Sequence, residues 1–339
     1  MVQKDYSKAI IPFDRIEVPE RLEERAVYPF GQLNYLTGGM ELGEMSVIAG
    51  ETGAGKTTFI SQCVSKMIED DKVFCIYGES TLEKQAQAIY RQMTPYSEKD
   101  YVYLRYEKYG KSTNIGQYFV TEEARKRVLD KTAYRLYCYN TKYGMTINDI
   151  IGALGAAHGQ MGINYFLIDN IMQIETATLN EVKEMKDSIE LLRRFVIENR
   201  VHVILVAHYR KSQDYSIIRR RLEEICGTSA IGNKMATALN IMRLDNVDRS
   251  GKGYKNLSAV CLANNYDLDK ADSVVEVLKT RHNKLGFVAL KYNKTTNTYS
   301  ECPKLDAKKE EPEKPILYAR QRSLHDLQVL DPQDADLPF

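Results

Sequence analysis

The octapeptide GETGAGKT (Gly50–Thr57) constrains this chain more than any other feature. It matches G-x-x-x-x-G-K-[ST], with the β-forming run MSVIAG (45–50) before it and a helical pattern over 56–69 after it. A glycine-rich turn between strand and helix points backbone N–H groups at an anion, and the helix start adds partial positive charge. Phosphate binding follows. Gly50, Glu51, Thr52, Gly53, Ala54, Gly55, Lys56, Thr57 and Thr58 are expected to cradle ATP, with Lys56 reaching the β- and γ-phosphates and Thr57 ligating Mg2+.

Four more apolar runs read as strands: VFCIYG (73–78), RLYCYN (135–140), YFLID (165–169) and HVILVA (202–207). Helical patterns at 82–92, 147–158 and 181–199 lie between them, which predicts an α/β fold around a mostly parallel sheet. Beyond residue 238, LNIMRL, VVEVLKT and GFVALKY are separated by turn residues and predict antiparallel strands appended to that sheet. The tyrosine-rich stretch 95–118 is the least legible and is read as a helical insertion. Residues 303–339 are charged, interrupted by proline and without core periodicity, and are expected to form a disordered acidic tail. The expected division is a linker at 1–28, an ATPase domain at 29–302 and the tail at 303–339.

Open α/β sheets bind ligands beyond the carboxyl ends of their strands. Asp169 ends one such strand and is expected to hold Mg2+ through water; a buried turn-capping acid is the plainer reading. Glu79, just past another strand, is either the base that takes a proton from attacking water or a solvated loop acid. His208 ends a third and is either a γ-phosphate sensor or a satisfied strand-end histidine.

Lys+Arg of 47 against Asp+Glu of 46 leaves a net charge of +1, so any nucleic-acid contact must come from local patches. The six cysteines are scattered without metal-ligand spacing, and no apolar run reaches the length of a signal or membrane-spanning segment. A cytoplasmic, reduced protein with no membrane association is expected.

The segment FGQLNYLTGGMELGEMSVIAGETGAGKTT, together with GTSAIGNKMATALNIMRL (227–244) and VVEVLKTRHNKLGFVALKYNKTTNTYSE (274–301), resembles the RecA-like motor domain of DnaB/Twinkle-like replicative ring helicases and phage primase-helicases, over roughly residues 25–301. The resemblance implies a catalytic Glu79 and a sensor His208, and it puts Lys279 and Arg281 on the positions of a trans-acting pair that completes the neighbouring subunit's site. Arg281 also reads as a solvated hairpin-edge residue. Thr237 stands where the family usually has an acid. The family's DNA loops fall at about 174–186 and after the His208 strand, where Arg210, Lys211, Arg219, Arg220 and Arg221 are the candidate phosphate contacts; a solvated basic loop is the alternative.

The function implied is an ATP-dependent helicase that moves on single-stranded DNA as a homo-hexamer during phage or bacterial DNA replication. About 30 residues before the motor leave no room for a primase module, so a separate primase or loader is expected. A RecA/RadA-like DNA-binding ATPase or a helicase loader that does not unwind is the alternative, and a KaiC-like scaffold a third. The closing residues Asp334, Asp336, Leu337, Pro338 and Phe339 resemble the tip of bacterial single-stranded DNA-binding proteins and offer an apolar anchor with flanking acids for a replication partner.

Overall fold

The computed structural model describes residues 25–108, 111–176, 181–210, 219–226, 229–245 and 247–305. Nine strands form one sheet in the order β11-β10-β9-β8-β1-β7-β6-β2-β5. Strands β1 (Met45–Ala49), β2 (Val73–Tyr77), β5 (Leu136–Cys138), β6 (Tyr165–Asp169), β7 (His202–Ala207) and β8 (Thr237–Arg243) run parallel, and β9 (Ser273–Lys279), β10 (Gly286–Asn293) and β11 (Thr298–Glu301) continue antiparallel. This is the expected fold class. β8 departs from the antiparallel expectation because it is the junction between the two parts, parallel to β1 and antiparallel to β9.

The central strands are buried on both faces, which is why they read as unbroken apolar runs. In β1, Met45, Val47 and Ala49 face one core cluster while Ile48 faces the other. α2 (Lys56–Met67) and α3 (Leu82–Met93) belong with the Ile48 cluster, whereas α5 (Ile147–Met161) and α6 (Glu181–Asn199) pack in the second. α1 (Gly31–Thr37) precedes β1, α4 (Glu122–Thr132) precedes β5, α7 (Ser229–Lys234) precedes β8, and α8 (Lys252–Ala263) joins β8 to β9.

Threonines start three of these helices. Thr81 caps α3, Thr121 caps α4, and Thr146 forms a reciprocal box with Asp149 on α5. α2 begins instead at Gly55, in the left-handed region at φ 88° and with no side-chain cap. Its first N–H groups thus have no side-chain acceptor of their own.

The stretch read as a helical insertion is a separate antiparallel hairpin, β3 (Tyr101–Lys108) with β4 (Lys111–Val120). Its aromatic and β-branched residues favour the pleated backbone over the helix. It docks on α3, where the Tyr101 hydroxyl donates to the carbonyls of Arg91 and Thr94 at 2.8 and 2.6 Å and Gln117 donates to Gln87 at 2.9 Å.

Candidate active site

Register brings the candidate groups together. Ala49 of β1 pairs with Ala207 of β7, so Gly50 and His208 follow side by side; Tyr77 of β2 pairs with Asp169 of β6, so Glu79 emerges next to Asp169. All four strands end on the same edge of the sheet.

Lys56 is buried, and its ammonium donates to the carbonyls of Gly50 and Glu51 at 2.8 and 2.9 Å and meets His208 Nδ1 at 3.1 Å. His208 Nε2 lies 3.1 Å from Glu79 Oε1, and Asn170 Nδ2 donates to the same oxygen at 2.6 Å. A continuous polar chain therefore runs Asn170, Glu79, His208, Lys56, P loop. Asn170 was missed in the sequence because its role depends on Glu79, 91 residues away.

Burial pushes the Asp169 carboxyl up to about 6, with the nearby Glu79 charge adding to the rise and Lys56 opposing it. Burial likewise lowers the Lys56 ammonium pKa, against the pull of Glu79, Asp169 and Glu51. Charge is thus held here at a cost that an incoming phosphate and cation would relieve.

The residues fit ATP with Mg2+. Gly53 and Gly55 adopt left-handed backbone at φ 81° and 88°, and a Cβ at Gly55 would collide with the Tyr299 hydroxyl. Thr57 is exposed at the uncapped start of α2, and Asp169 is a buried carboxylate at the adjoining strand end. These are oxygen donors of the kind Mg2+ takes, one of them direct and one suited to a bridging water.

Lys279 and Arg281 lie elsewhere. Ala238 pairs with Lys279, and the adjacent Thr237 pairs with Ser46 near the amino end of β1. The Lys279 ammonium donates to the carbonyls of Gly232 and Asn233 at 2.8 and 3.1 Å. Arg281, half exposed, sits 3.8 Å from Glu44. Glu44 and Gly50 are separated by about 20 Å of strand, at roughly 3.3 Å per residue. Arg281 therefore stands off its own P loop by the length of β1.

The basic run after β7 divides. Arg219 pairs with buried Glu276 at 2.5 Å and lies over the Phe287 ring at 5.2 Å. Arg220 is buried, within 3.3 Å of Glu51 and 3.7 Å of Glu224. Both are thereby committed to partners within the subunit, a correction to their reading as phosphate contacts; Arg210 and Arg221 are exposed. Lys211, part of the earlier loop at 174–186, and the tip residues Asp334, Asp336, Leu337, Pro338 and Phe339 lie outside the described residues.

A family model described as AAA domain matches residues 12–214. The chain belongs to this AAA domain family. Among solved structures, this AAA domain protein is similar to an isolated ATPase domain, with a TM-score of 0.61 and 16% identity, covering 83% of this chain and 92% of that one. It is also similar to a DnaB-like replicative helicase described with its interactions with primase, with a TM-score of 0.60 and 16% identity over 81% of this chain and 61% of that one. At that identity the likeness is one of fold: the RecA-like architecture of DnaB-like helicase ATPase domains. Among the described residues no helix is long and apolar enough to cross a membrane.

Proposed function

We propose that this ATPase is a DNA helicase motor that translocates on single-stranded DNA as a ring and unwinds duplex in replication, with its motor at 29–302, a linker at 1–28 and an acidic tail at 303–339. One observation carries the reading. The polar chain Glu79–His208–Lys56 gathers at one end of β1 and the Lys279–Arg281 arm at the other, so that a second copy is needed to complete each site.

Mg2+, held by Thr57 and through water by Asp169, neutralises phosphate charge when bound. Lys56 holds the terminal phosphates. Glu79, oriented by Asn170, accepts the proton of the attacking water. Arg281 of a neighbouring copy stabilises the charge that develops on the transferring group. His208, bonded to both Lys56 and Glu79, transmits loss of the phosphate along the strand end to Arg210 and the following basic residues. Lys211, Arg210 and Arg221 are the proposed DNA contacts.

The test is steady-state ATP hydrolysis with and without single-stranded DNA, in wild type, Arg281→Ala, Glu79→Gln and an equimolar mixture of the two variants. DNA stimulation, inactive single variants and partial activity in the mixture are expected. DNA-independent turnover unaffected by Arg281→Ala would overturn the shared-site motor. Turnover with open filaments and no strand separation would assign the RecA-like or loader alternative.

A further inference from the structure

The strand that carries His208 is met by a return of the chain. Cys226 N donates to His208 O at 2.7 Å, Arg210 N donates to Glu224 O at 2.9 Å, and Tyr209 bridges to Ile225. The return carries Arg220, whose side chain is 2% exposed. Its guanidinium lies 5.2 Å from the Tyr209 ring centroid, donates to the Arg210 carbonyl and faces Glu51 and Glu224. Its Nε and Nη1 make no hydrogen bond among the described residues. Opposite charge, rather than a satisfied fork, compensates its burial, and such a buried cation depends strongly on its partner.

Glu51 is the second residue of the P loop. Its carbonyl holds Lys56, and the other polar side chain on Lys56 is His208, the residue beside Tyr209. Arg220 thus joins two segments that both touch Lys56. Its described partners are Glu51, Glu224, Tyr209 and Arg210, none of them within Gly53–Thr58, where the amides and the start of α2 would hold the β-phosphate.

We infer that Arg220 is a positioning residue for the γ-phosphate, fixing the first turn of the P loop against the His208 strand so that Lys56 is held between them for the third phosphate rather than the second. The inference rests on the reading of this loop as the nucleotide site. It also gives the buried arginine a task distinct from DNA contact.

The experiment is equilibrium binding, with Mg2+, of fluorescent ADP and of a fluorescent non-hydrolysable ATP analogue to the full chain. Wild type is compared with Glu51→Gln, Arg220→Met, Arg220→Lys and the Glu51→Gln/Arg220→Met double variant. Affinity for the triphosphate should fall about tenfold in Glu51→Gln and in Arg220→Met, with ADP affinity held within about twofold. Arg220→Lys should recover part of the loss. The double variant should be no weaker than the weaker single, because both remove one interaction. Equal loss for both nucleotides, additive losses, or unchanged triphosphate affinity would each overturn the inference. Should Arg220→Met fail to fold, Glu51→Gln decides, since that side chain is 53% exposed and the change is isosteric. Wild type binding neither nucleotide would instead sink the underlying site assignment.

Discussion

The two ends of β1 handle charge in opposite ways. At the carboxyl end, Lys56 and Asp169 are buried and both are shifted toward their neutral forms by that burial. At the amino end, comparable groups are matched within the subunit: Arg25 to Glu41 at 2.5 Å, His282 to Glu44 at 2.6 Å, and His202 through both ring nitrogens to the Glu41 carbonyl and Ser46 at 2.7 and 2.9 Å. The first end is electrostatically incomplete and suited to receive phosphate and a cation. The second is largely closed, with half-exposed Arg281 as the group that projects from it. Chemistry belongs where the fold leaves charge unresolved, and that arrangement costs stability.

The largest effects should come from breaking the incomplete end or its complement. Lys56→Ala should abolish turnover, and Arg281→Ala should lower it by about a thousandfold while leaving the melting temperature nearly unchanged, because a trans-acting guanidinium contributes to the transition state and little to the fold. Steady-state ATPase assays beside thermal melts check this; normal turnover in Lys56→Ala would remove the site assignment.

Next is Asp169→Asn, for which activity and stability should move in opposite directions. The carboxyl titrates at about 6 in the fold against an ordinary 3.8, so its favourable contribution is complete below 3.8 and lost as pH rises through 6. Above pH 6 the buried charge costs on the order of 3 kcal/mol. The variant should therefore melt higher than wild type at pH 8 in chelator, lose that advantage toward pH 4, and hydrolyse ATP at least about a hundredfold more slowly. A lower melting temperature at pH 8 would contradict the account of this end.

The parallel strands and the P loop were legible because their signals are local: unbroken apolar runs, and a glycine pattern with a strand before it and a helix after it. The hairpin over 101–120 was not, since its tyrosines alternate but form a sheet of their own rather than joining the main one. Charge runs misled most. Arg219 and Arg220 look solvated in sequence, yet their acids, Glu276 and Glu51, arrive from distant strands and loops. Asn170 was invisible for the same reason. Arg281 was recognisable only through resemblance, and its distance from its own P loop follows from the pairing of β9 with β8 and of β8 with β1.

At the closed end, pH should act with the opposite sign. Burial lowers His202 to about 4 from an ordinary 6.5, with the Glu41 carbonyl opposing the shift. Its neutral form is built into the fold, so its contribution is complete above pH 6.5 and is lost as pH falls through 4, on the order of 3 kcal/mol. Chemical denaturation of wild type against His202→Gln between pH 7 and 4 should show the wild-type advantage shrinking toward acid. A constant difference would mean that His202 acts through packing alone.

The smallest effect tests whether the closed end also aims Arg281. Glu44 meets that guanidinium at 3.8 Å in a half-exposed pair, a contact worth less than about 1 kcal/mol. Glu44→Gln keeps the shape and a hydrogen-bond acceptor for His282 but releases the charge. Stability should change by under about 1 kcal/mol, while ATP turnover should fall by roughly two- to fivefold, and added salt should narrow the gap by screening the pair in wild type. Turnover identical to wild type at low salt would show that the neighbouring subunit alone orients Arg281, and the comparison would then place all of the site's preorganisation at the carboxyl end of β1.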